Sequence, residues 1–212
     1  MTCTIDPPGE GPANMARDLA MLEAAVPSSR VYTWSGVWVS LGRFQAPLQD
    51  LVPGNQTPWV RRPTGGRAVL HGHDWTVALV LPLSGARSVR AVYRRLVAPL
   101  VEALRSCDLR AALGEDTSYV AKGTKGLADC FATTSPNDVV DSRGRKVCGC
   151  ALRVTREAAL LQASIPKTAP LLDPATVIRG AQPAPLADWD VERFPSAWLE
   201  IASSGVGMRL DV

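Results

Sequence analysis

One helical stripe constrains the fold most. From Ser88 to Arg105, the residues Val89, Val92, Leu96, Val97, Leu100, Val101 and Leu104 share one face, while Arg90, Arg94, Arg95 and Arg105 cover the rest. A helix patterned this way must lay its apolar face on a sheet or on other helices. Pro99 inside it removes a backbone donor and predicts a kink. Around this helix the pattern changes to the two-residue period of strands. Trp75 to Pro82 carries Val77, Leu79 and Leu81 on one face, and Lys146 to Val154 and Ala158 to Ile165 follow as two more strands. Helices and strands mix without regular βαβ alternation. The fold class is therefore α+β, with a mixed, largely antiparallel central sheet flanked by helices.

The remaining segments fill in this plan. Residues 1–13 read as a flexible arm, and Asn14 to Val26 as a helix on the spacing of Met15, Leu19, Leu22 and Val26. Arg30 to Trp34 and Val37 to Arg43 alternate around Ser35-Gly36 and predict a hairpin. Gln45 to Pro58 reads as a loop. Trp59 to Arg62 and Arg67 to Leu70 read as short strands, as do Cys107 to Leu109, Ser118 to Ala121 and Val139 to Asp141. Lys122 to Leu127 is a Gly- and Lys-containing loop. Trp189 to Ser203 predicts a terminal helix, and Val206 to Leu210 a last short strand. Residues 14–212 are expected to form one domain, with 167–212 as a short proline-rich tail.

Composition narrows the function classes. The 212 residues are 46% hydrophobic and 20% charged, which is ordinary for a globular chain and not for a disordered one. The net charge of +3 is too weak a bias to make nucleic acid the main partner. No apolar run is long enough to span a bilayer, so no membrane partner is expected. The five cysteines, without a leading apolar segment, fit a reducing cytoplasm better than a disulfide framework. With two histidines and one isolated C-x-C pair, no metal site is expected.

Three stretches carry chemistry. In Arg61-Arg62-Pro63-Thr64-Gly65-Gly66-Arg67-Ala68-Val69-Leu70-His71, paired glycines allow close approach of backbone to a ligand, and the arginines suit a carboxylate, a phosphate or a thioester carrier. A Gly-rich turn with solvated arginines explains the same residues. Lys146 opens a strand continued by the small residues Gly149 and Ala151, a place where an ammonium can steady an oxyanion. An edge-strand lysine that blunts aggregation is the plain alternative. Cys130-Phe131 offers a thiol one hairpin away from Lys146, a nucleophile if positive charge lies beside it and otherwise an inert buried thiol. His71 is a second candidate base.

These stretches together resemble the biotin/lipoate A/B protein ligase family. Arg61 to His71 is similar to its RRPTGGRAVLH signature, and Lys146 with Gly149 and Ala151 to its K-x-x-G-x-A motif. Asn14-Met15-Ala16 with Leu22-Glu23, Arg30 to Trp34, Ser40 to Gln45, and Leu160-Leu161-Gln162 with Ser164 to Pro166 resemble flanking segments in the same order. The resemblance covers about residues 14–166 and implies the class II biotin/lipoyl ligase-like catalytic fold, with a tunnel for a medium-chain acyl group. Val69 and Leu79 are candidates for lining it.

The resemblance also implies chemistry. Its octanoyltransferase branch takes octanoate from acyl carrier protein and passes it, through a cysteine thioester, to one lysine of a lipoyl domain of E2 subunits or glycine-cleavage H protein. No cofactor is implied for that reaction. The ligase branch instead uses ATP and Mg to make a lipoyl-adenylate, and a noncatalytic paralogue that binds a carrier or lipoyl domain is a third reading. Arg67 in place of a third glycine, Gly72 in place of an acid after His71, and Cys130-Phe131 all resemble the transferase branch. On that reading Cys130 is the nucleophile and Lys146 its activating cation. Arg62, Gly65, Gly66, Arg67, Ala68, Val69, Leu70, His71, Gly149 and Ala151 then bind substrate. No accessory C-terminal domain is expected in 212 residues, which also favours transfer. Two departures argue against full conservation of function: Cys150 and Leu152 replace a hydroxyl and an amide, and Ala163 replaces a His-Gly.

Overall fold

The computed structural model describes residues 1–84, 88–118, 127–184 and 186–204. Along the chain run β1 (Thr2–Ile5), α1 (Gly11–Ala24), β2 (Ser28–Tyr32), β3 (Trp38–Leu41), α2 (Pro47–Asp50), β4 (Trp59–Arg61), β5 (Val69–His71) and β6 (Asp74–Pro82). They are followed by α3 (Val89–Ser106), β7 (Ala112–Leu113), β8 (Val139–Val140), β9 (Lys146–Val154), β10 (Ala158–Pro166) and α4 (Phe194–Ser203). Seven strands form a central sheet in the order β1-β2-β6-β10-β9-β8-β7. Only the β1–β2 pair in it is parallel. A small sheet, β4-β3-β5, packs separately. The expected α+β class with a largely antiparallel sheet is the one observed. No described helix is long and apolar enough to cross a membrane.

The strand period distributes the core over two faces of the central sheet. Val77, Leu79 and Leu81 of β6, with Ala159, Leu161, Ala163 and Ile165 of β10, meet the α3 stripe and Phe194 and Trp198 of α4. The alternate residues Ala78, Val80, Ala158 and Leu160 meet Met15 and Leu22 of α1. Being covered on both sides, β10 is buried along its whole length, which explains its nearly continuous apolar run. The small sheet has its own core of Val39, Leu41, Ala68 and Leu70, closed by Val177 and Ile178.

Several expectations need correction. The arm of residues 1–13 is not free: Thr2–Ile5 pairs in parallel with Ser28–Val31. Without it, β2 would present a row of unpaired backbone groups at the sheet edge. Asp6 pins the arm through Arg30, 2.6 Å away and buried, and α1 begins three residues earlier than expected. The predicted hairpin does not form. β2 pairs with β1 and β6, whereas β3 pairs with β4 and β5, so Ser35-Gly36 joins two sheets instead of two partners. Cys107 closes α3 instead of starting a strand, and the loop after Gln45 holds the short α2.

The proline-rich tail is built into the fold. Val177 and Ile178 sit in the small core, and Trp198 Nε1 donates to Ser29 Oγ at 2.8 Å. The strand expected over 206–210, and most of the segments expected over 118–127, lie outside the described residues.

Candidate active site

The site forms where the small sheet faces the central one. In the β9–β10 register Gly149 pairs with Ser164, and Ala151 with Gln162, so these four residues share a face. The Arg61–His71 segment lies opposite. Its Ala68 N–H donates to Ala128 O and its Ala68 carbonyl accepts from Cys130 N–H, both at 2.9 Å. This backbone exchange pins the Cys130 loop between the two sheets.

Cys130 is half-buried, and a built Cβ on Gly149 would lie 2.9 Å from its sulfur. Only glycine leaves room for the thiol at this position of β9. Lys146, 5% exposed, supplies three contacts from one ammonium. Its Nζ donates to Cys130 O at 2.7 Å and to Cys130 Sγ at 3.3 Å, and it lies 2.9 Å from Asp138 Oδ1. Burial works against the charge on Lys146, but the negative charges of Cys130 and Asp138 outweigh it and raise its pKa above the ordinary lysine value. The ammonium therefore keeps its proton across the working pH range, which makes it an electrostatic group and not a proton acceptor.

A narrow cavity, open at its mouth, leads away from the thiol. Met15, Tyr32, Trp34, Val69, His71 and Gln162 are among its walls, with Gly66, Gly149 and Ala151 near the thiol. The polar groups of its walls are spent on one another. His71 stacks on Trp34 at 4.0 Å between ring centroids. Its two ring nitrogens meet Ser40 Oγ and Asp74 Oδ2, each at 2.8 Å. Asp74 Oδ2 also accepts from Ser164 Oγ at 2.7 Å and Thr76 Oγ1 at 3.1 Å. Burial opposes the Asp74 charge, yet the His71 ring and these hydrogen bonds hold its pKa at about 2. Deeper in, Gln162 donates to the buried Asp18 at 2.5 Å and accepts from Thr64 at 2.7 Å.

Arg62 behaves differently from the sequence expectation. It is buried, and its five N–H groups are all taken: by Gly65 O twice, Arg67 O, Ser40 O and Ser40 Oγ, at 2.6–3.1 Å. It shapes the glycine loop from within, and burial brings its pKa down to about 10. That loop is tight. Gly66 has φ +82°, and a Cβ on the neighbouring Gly42 would fall 1.9 Å from Gly66 O. Arg67 reaches outward to Thr133 Oγ1 at 2.5 Å.

Of the residues singled out from sequence, Cys130, Lys146, Arg62, Gly66, Val69, His71, Gly149 and Ala151 come together. Gly65 borders a second, wider hollow of about 440 Å³ beyond Gly66 and Ala151, lined also by Tyr93, Asn137 and Asp138. Ala68 and Leu70 point into the small core, and Leu79 packs under α3, so none of these three side chains lines the cavity. Cys148 and Cys150 remain thiols, with sulfurs 3.5 Å apart.

Sequence reasoning missed Asp138, Asp74, Trp34 and Gln162. Trp34 and Gln162 lie in segments that carry the family resemblance but had no role assigned, and Asp74 left a different trace: the acid absent at Gly72 returns two residues later and reaches the same His71 ring.

The chain is 33% identical over 159 residues to the octanoyltransferase LipM of Exiguobacterium sp., covering 66% of this chain and 54% of that protein. It is 34% identical over 166 residues to that of Symbiobacterium thermophilum, covering 72% and 59%. The chain thus spans somewhat more than half the length of these relatives. Among solved structures it is similar to a putative lipoate protein ligase of T. acidophilum with bound lipoic acid (TM-score 0.75, 21% identity, 97% and 85% of the two chains). It is also similar to lipoate-protein ligase A bound with ATP (TM-score 0.75, 19% identity, 99% and 87%). At these identities the solved structures establish the class II ligase-like catalytic fold. The model of the lipoyl protein ligase A/B catalytic domain matches residues 12–179, and with the sequence relatives this shows that the chain belongs to the lipoyl protein ligase A/B catalytic domain family.

Proposed function

We propose that this chain is an octanoyltransferase: it takes an octanoyl group from the thioester of acyl carrier protein onto Cys130, then passes it to a lysine of a lipoyl domain. The observation that carries the reading is the Lys146 ammonium 3.3 Å from the Cys130 sulfur, at the head of a largely apolar cavity. The LipM relatives support the same activity.

The steps follow from that geometry. The Cys130 sulfur, its proton given up to solvent, attacks the thioester carbonyl, with the acyl chain in the cavity beyond Gly149. Negative charge moves onto the carbonyl oxygen in the tetrahedral intermediate, where the Lys146 ammonium offsets it. The C–S bond to the carrier then breaks, and the carrier's thiolate leaves and takes a proton from solvent. One thioester replaces another, so this half-reaction is close to thermoneutral and needs no ATP. In the second half the neutral amine of the acceptor lysine attacks the acyl-enzyme, an amide C–N bond forms as the nitrogen gives one proton to solvent, and the Cys130 sulfur leaves as a thiolate beside Lys146. The amide is more stable than the thioester, which drives the transfer forward. The wide hollow beyond Gly66 and Ala151 gives the carrier's arm and the acceptor lysine room to reach the thiol. Five free thiols suit a reducing cytoplasm as the place of this reaction.

Incubation with octanoyl-acyl carrier protein followed by intact mass measurement tests the reading. The expected result is one added octanoyl group that is lost in Cys130→Ser and discharged by a lipoyl domain. An unmodified protein, or an adduct that persists in Cys130→Ser, overturns it.

A further inference from the structure

Asp138 has no part in the steps above, yet it holds the group on which they depend. Its Oδ1 lies 2.9 Å from Lys146 Nζ. Its Oδ2 accepts from Ser135 N at 2.7 Å and from Ser135 Oγ at 3.0 Å. Its backbone is fixed as well: Asp138 N donates to Ser135 O, and Gly114 N donates to Asp138 O. The carboxylate is thus immobilised by its own turn at the entrance to β8, and only one oxygen is left for the ammonium.

The ammonium has three protons and three acceptors: Asp138 Oδ1, Cys130 O and Cys130 Sγ. Two of these belong to the half-buried loop that must admit substrate. Asp138 is the fixed point that aims the third proton at the reacting sulfur.

We propose that Asp138 is a positioning residue for acyl transfer, locking the Lys146 ammonium in place against Cys130 through a carboxylate that Ser135 in turn locks. This deepens the transferase reading and rests on it. The same carboxylate, after Cys130, helps to keep this deeply buried lysine charged. The groups facing the ammonium are Cys130, Asp138, Asp129, Cys148 and the Phe131 ring, and Tyr93 lies near Asp138. Of these, Asp138 is the carboxylate in direct contact with it.

The test compares the wild-type chain with Asp138→Asn and Ser135→Ala. Single-turnover acylation by octanoyl-acyl carrier protein is followed by mass across pH 6–10. In parallel, the Lys146 titration is followed through its side-chain carbon resonance, which is assignable because the chain has only four lysines. For Asp138→Asn we expect acylation at neutral pH to fall about tenfold or more. We also expect the Lys146 titration to fall, and any loss of rate on the alkaline side to move down with it. Ser135→Ala keeps the backbone donor and should show a smaller change in the same direction. Unchanged rate and pH profile in folded Asp138→Asn overturn the proposal. So does a slower reaction with an unmoved Lys146 titration, which marks a merely structural role. If the wild-type chain forms no acyl adduct, the transferase reading fails and with it the positioning role. The Lys146 titration then still reports whether the Asp138 contact governs its charge.

Discussion

Replacing Gly149 by alanine tests the site through a single methyl group. The added carbon would sit 2.9 Å from Cys130 Sγ and 3.5 Å from Phe131 Cζ. Ordinary nonbonded contacts lie at about 3.5–4.0 Å, so the sulfur must retreat by about 0.6–1.1 Å. The main chain cannot follow freely, because Cys130 N is bonded to Ala68 O and the Cys130 carbonyl to Lys146. The thiol therefore turns away from an ammonium that now sits 3.3 Å from it. Displacing a reacting atom by about 1 Å costs on the order of 100-fold in rate. The stability cost should be smaller, about 1 kcal/mol, at the low end for overpacking because the thiol is on a loop and only half-buried. Single-turnover acylation followed by intact mass, beside urea unfolding, separates the two effects. If Gly149→Ala acylates at the wild-type rate, then Cys130 does not react from the position between Gly149 and Lys146.

Other contacts give independent tests. Asp74 is held at about pKa 2, below its ordinary 3.8, so it stabilises the fold above about pH 4 and loses that contribution as pH falls through 2. Asp74→Asn should be about 2 kcal/mol less stable than wild type at pH 7, and the gap should close toward pH 2; a gap independent of pH between 5 and 2 refutes the assignment. Arg62→Lys keeps the charge but can replace at most three of five hydrogen bonds. It should cost about 2–3 kcal/mol in denaturant unfolding and slow acylation by loosening the Gly65-Gly66 loop. Lys146→Ala leaves Asp138 buried without its cation and should cost about 3–5 kcal/mol in the same assay, more than Cys130→Ser does.

The elements with strong periodicity were legible in the sequence, and the partners of each strand were not. Lys146–Val154 matches the expected strand at both ends, and β10 and α3 agree to within a residue. Period and length suffice for these, because each buries a full face. The Ser35-Gly36 turn misled because a turn signal says that the chain reverses and not which sheet receives it. Here β2 was already claimed by β1 and β6. The strand in the arm, Thr2–Ile5, is too short at four residues to show a period of its own, and only the free edge of β2 gave it a place. The same limit applies in the site. Cys130, Lys146 and the glycine loop carry motifs, whereas Asp138 reaches Lys146 across eight residues and a register shift between β8 and β9. No spacing rule predicts a contact made through an irregularity of that kind.

The saturation of the polar groups also bears on what the cavity accepts. Among the described residues that line it or touch Cys130, Arg62 and Lys146 supply the positive charge at the head of the cavity. Arg62 has no donor left, and the three protons of Lys146 are engaged by Cys130 and Asp138. His71 is committed at both nitrogens. A free carboxylate brought to this place would lose its hydration and find no uncommitted donor among these residues, a poor exchange for a charged group. A thioester is neutral, asks for no such partner in the ground state, and becomes negative only as the sulfur attacks. As the sulfur's electron pair becomes the new C–S bond, its hold on the ammonium weakens, and the N–H of Lys146 that faced the sulfur can hydrogen-bond to the new oxyanion. The site is therefore balanced for charge that moves a short distance within it, which suits acyl transfer from a thioester better than activation of a free acid.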